Sequence, residues 1–156
     1  MNPLRRTFLK GSGAAGTLAV ALAAGLLKPG QVLANEWNKA AFESKSILDT
    51  LKGIGGASAA ESKDIAIKAP DIAENGAVVP VEVTSKIPGT EQISIVVEKN
   101  DRPLIAVFNL LNGAEGFVST RIKMSQTSAV KVLVKAGGKM YSASKEVKVT
   151  IGGCGG

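Results

Sequence analysis

The chain has 156 residues, a formal net charge of +6, one cysteine and no histidine. Without histidine there is no Ser-His-Asp or Cys-His catalysis and no ordinary zinc site, and a single cysteine excludes an internal disulfide, so chemistry is left to carboxylates, lysines or Cys154. Aromatic residues make up 4% of the chain, too few for a platform that stacks nucleic-acid bases.

The first 34 residues hold Arg5, Arg6, Lys10 and Lys28 and no acid, which leaves 15 basic and 13 acidic residues, a net +2, for the other 122. A balance so close to neutral gives no reason to expect a nucleic-acid partner. Arg5-Arg6-Thr7-Phe8-Leu9-Lys10 resembles the twin-arginine export signal of bacteria, whose pattern is Ser/Thr-Arg-Arg-x-Phe-Leu-Lys; Leu4 departs from it. A weakly apolar stretch, Ser12 to Leu27, follows, then the helix-breaking Lys28-Pro29-Gly30 and the plausible cleavage site Val32-Leu33-Ala34. The apolar run is shorter than the ~20 residues of a membrane span, so residues 1–34 read as a cleaved signal. The resemblance implies delivery to the periplasm in a folded state, with no membrane association after cleavage.

The remaining residues suit one domain, 35–151, whose core needs neither disulfide nor metal. Asn35 is a candidate helix cap. Trp37, Ala41, Leu48 and Leu51 recur at helical spacing with Ile47 beside them, which predicts one amphipathic helix from Glu36 to Leu51, with Trp37 and Phe42 packed on the domain. After Gly55-Gly56 the period becomes twofold. Ile65–Ile67, Val79–Val83, Ile93–Glu98, Leu104–Leu110, Phe117–Met124, Val130–Lys135, a short segment at Met140-Tyr141 and Val147–Ile151 read as strands. Glu74-Asn75-Gly76, Asn100-Asp101-Arg102-Pro103 and Gly137-Gly138 read as turns. Short strands without intervening helices predict an all-β, immunoglobulin-like antiparallel sandwich. Pro80 lacks a ladder donor, so its strand is expected at an edge or a bulge.

The last strand runs directly into Gly152-Gly153-Cys154-Gly155-Gly156. Four glycines around one thiol predict a thin, flexible arm, and an extended chain places Cys154 roughly 10 Å beyond Ile151. Such an arm suits delivery of a tethered group into another protein's channel better than catalysis, which needs fixed geometry. No basic residue of the pentapeptide lowers the thiol's pKa, so activation is expected from a partner. The other readings of a lone terminal cysteine are an intermolecular disulfide, which would make the chain an interaction module that dimerises through Cys154, and an incidental thiol.

Val149-Thr150-Ile151-Gly152-Gly153-Cys154-Gly155-Gly156 closely resembles the C-terminus of the SoxY family, and Ala73–Val81 and Thr120–Met124 resemble internal segments of it. This family is the carrier subunit of the periplasmic thiosulfate-oxidising Sox system. The resemblance implies a non-enzymatic protein without cofactor or metal, on which Cys154 is the covalent attachment point and Gly152, Gly153, Gly155 and Gly156 form a swinging arm. It also implies four partners: a SoxZ-like β-sandwich subunit, a c-type cytochrome that attaches thiosulfate, a hydrolase that releases sulfate and, where present, a sulfur dehydrogenase. It adds no chemical role for Ala73–Val81, which reads as a turn and an edge strand or, more sharply, as an edge facing the SoxZ-like subunit. Arg121 and Lys123 read as a solvated strand face.

Overall fold

The computed structural model describes residues 38–111 and 113–151. Two short helices come first, α1 (Lys39–Glu43) and α2 (Ile47–Gly53), then nine strands. These are β1 (Ala60–Glu61), β2 (Ile65–Lys68), β3 (Ile72–Asn75), β4 (Val79–Ser85), β5 (Thr90–Val97), β6 (Leu104–Asn109), β7 (Phe117–Ile122), β8 (Ser128–Ala136) and β9 (Lys139–Ile151).

The strands form two sheets. One has the order β1-β9-β8-β5-β6, with β3 also paired to β9; the other is β2-β4-β7. Alternation places the core between them: Val79, Val81 and Val83 of β4, Val118 and Ile122 of β7, Ile93, Ile95 and Val97 of β5 and Val130, Val132 and Val134 of β8 are all buried in one cluster. This is a β-sandwich in its layering.

The predicted single helix is two helices, broken at Ser44–Ser46. The serines compete with helical bonding: Ser44 Oγ accepts from Ser46 N–H and donates to the Ser46 carbonyl, and Ser46 Oγ caps α2 by accepting from Asp49 N–H. The new start shifts the buried face. Ile47, Leu51 and Ile54 pack with Phe42 against Val96, Leu104 and Leu133 on the outer side of the larger sheet. Leu48, expected on that face, is 66% exposed. Glu36 and Trp37 lie outside the described residues.

Three strand expectations change. Met140-Tyr141 and Val147–Ile151 belong to one 13-residue strand, β9. It follows β8 through a two-residue hairpin in which Gly137 and Gly138 have φ of 54° and 74°, the left-handed pair that a tight turn matched to strand twist requires. Glu74 and Asn75 are the end of β3 rather than part of the turn, and β3, like β1, pairs with β9 in parallel. A sheet with these pairs is mixed rather than wholly antiparallel. Pro80 lies in β4, the central strand of its sheet. The missing donor is tolerated because β2 covers only Glu82 to Ser85, so at Pro80 only the β7 side is paired, opposite Arg121.

Candidate functional site

The sequence directs attention to the end of β9. Cys154, with Gly152, Gly153, Gly155 and Gly156, lies outside the described residues, as do the leader 1–34 and its Arg5 and Arg6. What the fold defines is the base from which the cysteine-bearing pentapeptide departs. Ile151 is the last residue of β9 and is 69% exposed. Only Gly152 and Gly153 separate Ile151 from Cys154 in the sequence.

The base is held from both sides. β8 pairs with β9 from Ala136–Lys139 up to Ser128–Val147, and there β8 begins. Beyond that point Thr127 continues the ladder with its side chain. Its Oγ1 accepts from Val149 N–H at 2.9 Å and donates to the Val149 carbonyl at 3.4 Å. On the other side β3 runs parallel, with Ile72 opposite Lys148, Ala73 opposite Val149 and Asn75 opposite Ile151. Lys148 N–H donates to the Asp71 carbonyl at 2.9 Å, and Thr150 Oγ1 donates to the Glu74 carbonyl at 3.0 Å.

The turn after β3 closes the base. Gly76 N–H donates to the Ile151 carbonyl at 2.8 Å, and the Gly76 carbonyl accepts from Met124 N–H at 2.7 Å. Gly76 therefore ties the last strand residue to the segment after β7, and Met124 beside it is wholly buried. Asn75 shapes the turn, its Oδ1 accepting from Ala77 N–H at 2.8 Å, a side-chain mimic of a backbone turn bond. Asn100 braces the neighbouring loop: its Nδ2 donates to the Lys123 carbonyl and its Oδ1 accepts from Ser125 N–H.

Sequence reading gave Ala73–Val81 no part in the site, yet Ala73, Asn75 and Gly76 build the base of the cysteine segment. An Asn-Gly turn signal was visible at those positions; that its strand pairs with β9 was not, because parallel pairing has no local signature. Nothing local marked Thr127. Arg121 and Lys123 are exposed, as expected of a solvated face. Among the described residues no group of three or more His, Cys, Asp or Glu side chains is placed to hold a metal. No helix among them is long and apolar enough to cross a membrane.

The fold and this base define a class: a small β-sandwich whose final strand, tied on both edges, hands over directly to a glycine-flanked cysteine. The chain belongs to the SoxY family, described as sulfur oxidation protein SoxY, which it matches over residues 51–154, so the match ends on the cysteine itself. Among solved structures it is similar to the sulfur carrier protein SoxY of Chlorobium limicola f thiosulfatophilum. The identity is 47% and the TM-score 0.58, over 67% of this chain and 96% of that one. A superoxide reductase (neelaredoxin) of Ignicoccus hospitalis is also similar, at 20% identity and a TM-score of 0.48 over 55% of this chain and 79% of that one. No curated protein sequence matches the chain.

Proposed function

We propose that the protein is a covalent carrier of sulfur intermediates on Cys154, serving thiosulfate oxidation in the periplasm. One observation carries the reading: the family match extends to the chain's single cysteine and ends on it, and that cysteine is the third residue after the last anchored strand. In this reading residues 1–34 are a twin-arginine leader recognised through Arg5 and Arg6, residues 35–151 are an immunoglobulin-like domain, and Gly152, Gly153, Gly155 and Gly156 let the thiol swing into partner channels.

The chemistry balances with partners as catalysts. The Cys154 thiol loses its proton, its sulfur bonds to the sulfane sulfur of thiosulfate, and two electrons pass to a c-type cytochrome. The product is a cysteine S-thiosulfonate. A hydrolase adds water and releases sulfate, leaving a persulfide on Cys154. A sulfur dehydrogenase, where present, passes six electrons from that outer sulfur to its own acceptor while three waters supply the oxygens, and a further hydrolysis releases sulfate and frees the thiol. A SoxZ-like subunit accompanies the carrier. Thiol chemistry suits this cycle because the S–S link forms and exchanges without disturbing the domain.

Intact mass spectrometry tests the reading. The full chain, incubated with thiosulfate and the cytochrome partner, should gain a thiosulfonate increment confined to the C-terminal peptide. A reducible disulfide dimer as the sole product would overturn it in favour of an interaction module joined through Cys154.

A further inference from the structure

We infer that residues 38–59 form a cover that opens from the outer face of the larger sheet as a unit, while the sandwich beneath stays folded. The inference is independent of the carrier reading and goes beyond it. The segment is closed on itself. Asn38 Nδ2 donates to the Gly53 carbonyl at 2.7 Å, which joins the start of α1 to the end of α2. Asn38 Oδ1 and Ser46 Oγ cap the two helices by accepting from Ala41 N–H and Asp49 N–H. Gly56 N–H donates back to the Leu51 carbonyl at 2.7 Å, and Ala59 N–H to the Gly56 carbonyl at 3.3 Å. The helices also meet closely, since a Cβ on Gly53 would stand 3.1 Å from that of Ala41. Backbone pairing with the sheet begins at β1, where Ala60 lies opposite Tyr141.

The hold on the sheet is apolar, and it is incomplete. Ala41, Phe42, Ile47, Leu51 and Ile54 pack with Val96, Leu104 and Leu133. Two hydroxyls in this region, Thr50 Oγ1 and Ser94 Oγ, are wholly buried without a hydrogen-bond partner. Thr50 lies on α2, three residues after Ile47 and four before Ile54. Ser94 lies on β5, opposite Val107 of β6 on one side and Leu133 of β8 on the other. Its neighbours Ile93 and Ile95 face the inter-sheet core, so Ser94 faces the helices. Each hydroxyl loses water when the cover closes and gains no bond in return. Such a group lowers the equilibrium constant for closing roughly tenfold or more. Helices of five and seven residues are too short to persist by their own hydrogen bonds. The strands beneath have other support: β5 and β8 are each paired on two sides, and Ile95 and Val132 belong to the inter-sheet core. Lifting the cover therefore costs less than unfolding the sandwich, and it bares Val96, Leu104 and Leu133 as an apolar strip.

Amide exchange of the full chain, followed residue by residue at urea concentrations below the unfolding transition, tests this. Two reporters lie in the cover: Ile54 N–H, bonded to the Thr50 carbonyl, and Gly56 N–H, bonded to that of Leu51. Both should exchange at least about a hundredfold faster than Ile95 and Val132, with a weaker urea dependence, because a partial opening exposes less surface than unfolding. Thr50→Val removes one hydroxyl at nearly constant shape and should slow exchange at Ile54 and Gly56 about tenfold; Ser94→Ala should do the same. Equal rates and equal urea slopes in cover and strands would overturn the proposal, since the helices would then leave only with the whole domain. Unchanged or faster exchange in either hydroxyl variant would overturn it too, since that hydroxyl would then not be a cost of closing.

Discussion

The two halves of β9 are held by different means. From Lys139 to Val147 the strand has β8 along one edge through nine paired positions, and its Val147 is wholly buried in the inter-sheet core. From Lys148 to Ile151 it has left β8, and the short parallel strand β3, one threonine side chain and the Gly76 amide take over. The first half is fixed by its full ladder with β8 and by core burial at Val147, both cooperative with the whole sandwich. The second is fixed by a few hydrogen bonds at a half-exposed margin, each contributing about 1 kcal/mol. Protein regions of low local stability open without global unfolding. The handover from domain to cysteine segment is thus placed where stability already tapers, so the chemistry of the thiol and the stability of the fold can vary separately.

The largest test of that separation is Cys154→Ser. Sulfur loading and thiosulfate turnover should be lost completely, because an alcohol forms no thiosulfonate or persulfide. The melting temperature should not move, since the residue follows the last paired strand. Turnover retained in this variant, measured against an inactive mock preparation, would remove the carrier role; a large fall in melting temperature would show the tail to be part of the core.

The converse change is made in the core. Ile95 of β5 is wholly buried between the sheets. Ile95→Ala should cost about 2–5 kcal/mol by lost transfer energy and an incompletely filled cavity. Urea denaturation gives the value directly. Below its melting temperature, the folded variant should still load sulfur at close to the normal rate. A cost under 1 kcal/mol would mean that the site collapses freely and the packing is looser than its burial implies.

How much of this was legible in the sequence follows from which interactions are local. The strands from β4 to β8 were readable because Val79-Val81-Val83 and Val130-Val132-Val134 alternate as a sheet facing one core demands. The hairpin at Gly137-Gly138 was readable because two consecutive left-handed residues nearly require glycine. The break at Ser44–Ser46 was missed: apolar spacing carried the helix through, while side-chain capping decided the ends. Pro80 was misplaced because the rule concerns the partner on one side of one residue, and the shortness of β2 is a tertiary fact. The cysteine segment was legible by composition. Its base was not, since β3 meets β9 across more than 70 residues of chain.

A smaller test acts on that base. Asn75→Ala removes the acceptor for Ala77 N–H and frees the turn that aims the Gly76 amide at Ile151. The expected loss is about 0.5–1.5 kcal/mol, read by chemical denaturation. Asn75→Asp keeps an acceptor oxygen and should recover most of it. If alanine and aspartate variants were equally destabilised, the side-chain bond would not be what shapes the turn.

The finest comparison lies beyond the base, where stability should not respond at all. Gly153→Val places a β-branched side chain directly before Cys154. It narrows the backbone conformations open to that residue and widens the chain where it would enter a partner's channel. Folding should be unaffected, with identical melting temperatures. Loading by the cytochrome and sulfate release by the hydrolase should each slow a few-fold, and by different factors, because two channels of different width would resist the same added bulk unequally. Gly153→Ala, with one methyl, should fall between. The measurement is the rate of each half-reaction on the same preparation. Equal rates for glycine, alanine and valine with both partners would mean that the thiol is met at an open surface, and the four glycines would then need a reason other than passage through a narrow site.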